Sequence, residues 1–114
     1  MVIPVTEVHM GFLQEGETII LEERAKSDFF GKGTLYLTNT RMVLEVMTGG
    51  FFSKKTEIKI DQPVRSMKEI STPRRKTLRV HFEGNMEPTT LYVDNPEKWV
   101  AAIKTVLTMS GNTQ

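Results

Sequence analysis

Apolar and polar residues alternate along most of the chain with the two-residue period of extended strands. Residues 18–26 open the series, with Ile19 and Leu21 on one face and Thr18, Ile20 and Glu22 on the other. Residues 33–38 place Leu35 and Leu37 inward and Thr34, Tyr36 and Thr38 outward. Asn39 and Thr40 then supply a turn into a third strand over 41–47, so the two strands form a hairpin. Gly49 and Gly50 break that strand, and residues 56–61 give the plainest alternation, Ile58 and Ile60 against Lys59 and Asp61. Pro63 limits residues 64–70 to an edge or a bend, ended by Ser71, Thr72 and Pro73. Residues 77–82 alternate strictly through Leu78, Val80 and Phe82, residues 83–85 turn the chain, and 89–93 form a last strand with Leu91 and Val93 inward. About seven strands are expected.

The period then changes from two to 3.6. Trp99, Val100, Ile103, Val106 and Leu107 share one helical face over residues 95–109. Asp94 or Asn95 can cap that helix, Pro96 suits its first position, and Glu97 favours the positive end of its dipole. Ser110, Gly111 and Asn112 stop it, and a frayed tail over 110–114 is expected. The predicted fold is therefore mostly β, a seven-stranded partly open barrel or sandwich capped by one amphipathic C-terminal helix. Trp99 is expected to plug the open end.

A length of 114 residues fits one domain over 1–114, with residues 1–15 as an N-terminal segment. Hydrophobic residues at 39% and charged residues at 25% are globular rather than disordered composition. Fifteen basic against fourteen acidic residues leave a net charge of +1, far from the balance that generic nucleic-acid binding needs. Any electrostatic partner must therefore meet a local patch. With no cysteine there are no disulfides, thiolate nucleophiles or Cys-containing zinc sites, and only His9 and His81 offer imidazoles. No apolar run approaches a membrane span and no signal-peptide pattern opens the chain, so a cytoplasmic or peripheral-membrane location is expected.

No catalytic motif accompanies the two histidines, and His81 reads as a polar-face strand residue between Val80 and Phe82. Gly31-Lys32-Gly33 is too short to cradle a phosphate as a P-loop does. Neither an enzyme, a metal site nor a cofactor is expected, which leaves binding. Two loops pair aromatics with lysine: 26–32, containing Phe29, Phe30 and Lys32, and 49–55, containing Phe51, Phe52, Lys54 and Lys55. Adjacent residues of an extended chain point to opposite sides, so one phenylalanine of each pair can enter the core. Phe30 and Phe52 are the candidates for membrane or protein contact. Arg74-Arg75-Lys76 forms a second basic cluster, whose guanidinium forks suit phosphate oxygens. Along the helix, Ala102, Thr105 and Met109 leave an edge of few charges.

Seven strands followed by one capping helix is the order of the pleckstrin-homology-like superfold, and Gly33-Thr-Leu-Tyr-Leu-Thr-Asn-Thr-Arg41 resembles a hairpin of GRAM and bacterial PH domains. There Gly33 would let the chain turn in, and Asn39 would tolerate the dihedrals of a tight turn. Gly16-Glu-Thr-Ile-Ile20 and Lys76-Thr-Leu-Arg-Val-His-Phe82 are in turn similar to the entry and sixth strand of GLUE domains, the PH-like domain of an ESCRT-II subunit. The resemblance covers about residues 10–108. It implies an adaptor of ESCRT-type membrane trafficking that binds ubiquitin or another protein, with the helix edge as its ubiquitin surface. It also implies a lipid-phosphate pocket off the barrel axis, drawing Arg74, Arg75 and Lys76 toward Lys26 and Lys32. The two Phe-Phe loops, with Lys54 and Lys55, would share the barrel's rim with the loop carrying Met86. The usual phosphoinositide pocket needs a basic-x-Arg pattern in the second strand; here Lys32 is followed by Gly33 and Thr34, so tight inositide binding there is not expected. A GRAM or bacterial-PH type implies instead a structural or oligomerisation module. The residues themselves fit lipid and protein contact equally.

Overall fold

A computed structural model describes residues 11–49 and 55–111 of the chain. Strands β1 (Ile19–Ser27), β2 (Gly31–Thr38), β3 (Arg41–Thr48) and β4 (Lys55–Pro63) form an antiparallel meander. A 3-10 turn (Val64–Ser66) leads into β5 (Met67–Ser71), β6 (Thr77–Phe82) and β7 (Thr89–Tyr92), and helix α1 (Pro96–Gly111) closes the chain. The sheet order is β4-β3-β2-β1-β7-β6-β5, so β1 joins the two halves through Lys26 opposite Tyr92 and Ser27 opposite Leu91. Among the described residues β4 and β5 are edges, and the barrel stays open between them. This is a mostly β, partly open, helix-capped architecture consistent with a PH-like sandwich.

The concave face is the core. Leu35 and Leu37 of β2, Met42 and Leu44 of β3, Leu78, Val80 and Phe82 of β6, and Leu91 of β7 are buried there as the alternation predicts. Helix α1 lies against the 3-10 turn, β6 and β1, and buries Trp99, Ile103 and Val106 completely or nearly so. Burying an indole and two branched side chains stabilises by roughly 2 kcal/mol each, which holds the helix in place. Asn95 is the residue that caps it, its Oδ1 accepting from the Lys98 N–H at 3.2 Å. Glu23 of β1 adds a polar lock, accepting from the Trp99 indole N–H at 2.7 Å and the Asp94 N–H at 2.5 Å.

Several expectations are corrected. Tyr36 and Thr38 do point away from the core, yet Tyr36 is only 3% exposed and Thr38 is fully buried. Residues 12–17 cross this outer face, with the Phe12 ring 4.9 Å from the Tyr36 ring. The strict alternation over 56–61 is broken by a bulge: Ile60 faces Leu44 but Ile58 faces Glu45, leaving Lys59 as the extra residue and Ile58 on the outer face. The segment 64–70, expected as an edge or a bend, is both: Pro63 precedes a 3-10 turn over Val64–Ser66, and the edge strand starts at Met67. Gly33 serves packing rather than a turn, because a Cβ there would meet the Glu45 carbonyl oxygen at 2.3 Å; the left-handed residue is Gly31, at φ 91°. Asn39 is not left-handed either. Its side chain bridges to the segment before β1, accepting from the Thr18 N–H and donating to the Gly16 carbonyl.

That segment carries an ionic clasp that the sequence reading missed. The Glu17 carboxylate accepts from Arg41 Nε (2.8 Å), Arg41 Nη2 (3.0 Å), Thr38 Oγ1 (2.6 Å), Thr40 Oγ1 (2.8 Å) and the Gln14 N–H (2.9 Å). Arg41 reaches on to Asp61 of β4 at 2.9 Å, to the Phe12 carbonyl, and over the Phe12 ring. Burial alone would push the Glu17 carboxyl up, but the bonds from Arg41, Thr38, Gln14 and Thr40 outweigh it and hold it at about 2. Thr38, Thr40 and Arg41 thus serve to fasten the segment before β1 to the sheet.

Candidate functional site

Two concave surfaces stand out, and they differ in charge. The first is a groove of about 790 Å³ on the outer face, lined by Glu22, Arg24, Lys26, Lys32, Thr34, Tyr36, Glu45, Met47, Thr56 and Tyr92. The β1–β2 register places Lys26 directly opposite Lys32, and the β1–β7 register places Tyr92 beside Lys26. Tyr92 in turn faces Thr77, which immediately follows the Arg74-Arg75-Lys76 run. The Tyr92 hydroxyl donates to Asp28 at 2.8 Å, and that bond with burial and the Asp28 charge raises its pKa, while the nearby Arg74 and Arg79 charges pull it back. Three cations face two carboxylates in the groove lining, and the charges of Arg74 and Arg79 lie near enough to act on Tyr92. Tyr36, in the groove floor, is pushed to about 12 by burial and by Glu45 and Glu22, so it stays a neutral donor.

The second is a cleft of about 420 Å³ at the barrel mouth. The β1–β2 loop supplies Ser27, Asp28, Phe29 and Phe30, and β4 supplies Lys59, Ile60, Asp61 and Gln62. Phe82 and the β6–β7 loop residues Asn85, Glu87 and Pro88 complete it. Ser27 shapes the first loop: its buried hydroxyl accepts from the Phe29 and Phe30 N–H groups at 3.1 and 3.0 Å. The Phe-Phe pair does divide between core and solvent, but in a turn rather than a strand and with its members exchanged from the expectation. Phe30 packs against the core, and Phe29 is the outward residue at 86% exposure. Across the cleft Met86 is 96% exposed.

The remaining candidates are spread out. Lys55 begins β4, opposite Thr48 and away from Lys26. Arg74, Arg75 and Lys76 are exposed, with Lys76 in the left-handed region at φ 55° and its carbonyl taken by the Val93 N–H. On α1, Met109 is 64% exposed and Thr105 is exposed with its hydroxyl bonded back to the Ala101 carbonyl, while Ala102 is half-buried against the core. Phe52, Lys54 and His9 lie outside the described residues. His81 is half-buried, its Nε2 lying 2.9 Å from the Asn85 carbonyl in the turn after β6. Among the described residues no cluster of His, Cys, Asp or Glu could hold a metal ion, and no helix is long and apolar enough to cross a membrane.

Fold and surfaces together give an open, helix-capped antiparallel sheet, consistent with a PH-like sandwich, that presents one groove with excess cations and one cleft with excess carboxylates. No protein-family model matches the chain, and no curated protein matches it.

Proposed function

We propose that the chain is a non-catalytic PH-like adaptor whose outer-face groove receives the phosphate of an anionic lipid headgroup, bringing the domain to a membrane surface. One observation carries this reading: Lys26 and Lys32 stand directly opposite each other across β1 and β2. Like charges in that position destabilise a sheet, and neither lysine has an ion-pair partner among the described residues. An anion between them would turn a repulsive pair into an attractive one. Arg74 acts on the neighbouring Tyr92, as a pocket shared by the β1–β2 and β5–β6 loops requires. The likeness to GLUE domains points the same way.

Co-sedimentation with vesicles containing an anionic lipid tests it. Each lysine near such a surface is worth about 1 kcal/mol, so Lys26→Ala/Lys32→Ala should weaken binding roughly thirtyfold. Binding should also fall steeply with salt. Unchanged binding in the double variant removes the lipid reading. A protein reading rests on a different observation, the exposure of Met109 at the end of the weakly charged helix edge. Titrating ubiquitin against the labelled domain decides it: amide shifts gathered on Ala102, Thr105 and Met109 support it, and their absence at millimolar ubiquitin ends it.

A further inference from the structure

The mouth cleft has a wall, a floor, lips and a sign, and together they specify an occupant different from the groove's. Its wall is residues 59–62 of β4, the terminal strand of the sheet, beyond which no strand lies among the described residues. An edge of that kind presents backbone N–H and C=O groups free to pair with another extended chain. Its floor is apolar, with Ile60 and Phe82 buried and Phe30 packed against the core. Its lips are Phe29 and, between the lining residues Asn85 and Glu87, Met86, the two most exposed large apolar side chains described.

Charge then selects among extended chains. Asp28, Asp61 and Glu87 face a single cation, Lys59. Lys59 is already neutralised by Glu57 at 2.7 Å, whereas Asp28 and Glu87 have no ion pair among the described residues. Asp61 does contact Arg41, but that arginine is shared with Glu17, so the group of three remains negative. A phosphate, an acidic peptide or a nucleic-acid backbone would meet carboxylates here.

We infer that the mouth cleft binds an extended, cationic peptide segment that adds as a further strand along the edge of β4. Four edge residues at about 3.3 Å each span about 13 Å, enough to register four or five residues of the guest. Strand alternation dictates its pattern: one set of side chains, apolar, drops toward Ile60, Phe82 and Phe30, and the other, lysine or arginine, reaches Asp28 and Glu87. Phe29 and Met86 close over the apolar set. The cleft meets the lysine groove at one point, the hydrogen bond from Tyr92 to Asp28, but its occupant is different and the inference stands whether or not the groove binds lipid.

The test uses the full chain, isotope-labelled, titrated with the probe acetyl-(Lys-Val)₃-amide. Saturable amide shifts are expected at residues 28–30, 59–62 and 85–87. The glutamate counterpart acetyl-(Glu-Val)₃-amide should not bind. Asp28→Asn/Glu87→Gln should weaken the lysine probe roughly five- to tenfold, as expected for two exposed ion pairs. Both substitutions, and Phe29→Ala/Met86→Ala, change exposed side chains and leave the fold intact. Two backbone N-methylated probes, methylated at odd or at even positions, read the strand pairing: one should lose binding and the other keep it. The inference is overturned by shifts centred on Lys26 and Lys32 or on the helix, by equal binding of the glutamate probe, by equal binding of both methylated probes, or by no binding at several millimolar.

Discussion

Both faces of the sheet are covered by chain from outside it, and the two covers use opposite chemistry. On the concave face α1 buries Trp99, Ile103 and Val106 and needs one carboxylate, Glu23, to seat the indole N–H. On the outer face residues 12–17 cover Tyr36 and Thr38 with one aromatic contact, Phe12 on Tyr36, and what fastens them is chiefly Glu17 on Arg41, with Thr38, Thr40 and Asp61 around the pair. An apolar cover is held by area, so it tolerates small displacements and is indifferent to pH. An ionic cover is held by geometry and by protonation state, and loses its energy when either partner is removed. The comparison therefore predicts that the two covers fail under different insults.

The largest effect should come from the apolar side. Trp99→Ala leaves a large cavity and should cost about 3–5 kcal/mol, read as a shift of the urea midpoint. A loss below about 1 kcal/mol would show that the helix is not held by area. Next in size, Glu17→Ala leaves Arg41 with Asp61 as its one carboxylate partner among the described residues and should cost about 3 kcal/mol in the same assay. Addition of Arg41→Ala should add less than its separate cost, because the pair acts as a unit. Protons should reproduce the Glu17 effect. Its carboxyl is depressed in the fold from 4.5 to about 2, so the stability it contributes is fully present above about pH 4.5 and is lost as pH falls toward 2. A shift of that size corresponds to about 3 kcal/mol at most. Urea unfolding of Glu17→Ala should therefore lose less stability between pH 5 and pH 2.5 than the parent does, and identical losses would refute the ionic clasp.

The same contrast explains what could be read from the sequence. The apolar cover announces itself through periodicity: Trp99, Ile103 and Val106 repeat at helical spacing, and Leu35, Leu37, Leu78, Val80 and Phe82 at strand spacing, because area is contributed residue by residue. The ionic cover has no periodic signature. Glu17 and Arg41 are 24 positions apart, and Thr38 and Tyr36 read as solvent-facing until residues 12–17 are laid over them. Ile58 misled for a related reason, since the bulge at Lys59 that inverts its face is a property of the β3–β4 pairing. Of the candidate sites, the Lys26–Lys32 pair was half legible: both flank one tight loop, so a hairpin brings them face to face. The mouth carboxylates were not. Asp28, Asp61 and Glu87 come from a loop, an edge strand and another loop, and only the curl of the open sheet gathers them. Which of Phe29 and Phe30 turns outward likewise depended on the Ser27 turn rather than on alternation.

The smallest of these effects sharpens the comparison most, because it separates area from polarity within a single cover. Glu23 holds α1 by accepting from both the Trp99 indole and the Asp94 N–H. Glu23→Gln keeps the shape but only one acceptor oxygen for the two donors and removes the charge, so one bond is lost and the other loses its charge assistance, about 1–2 kcal/mol. Glu23→Leu removes both acceptors and leaves the buried indole N–H unpaired, which should cost about 1–3 kcal/mol. Trp99 is the only tryptophan of the chain, so its fluorescence reports the lid directly. If area holds the helix, both variants keep the blue-shifted emission of a buried indole in the native state while their urea midpoints fall in that order. If native emission shifts to the red in Glu23→Gln, the helix is held by its polar lock, and the two covers are alike after all.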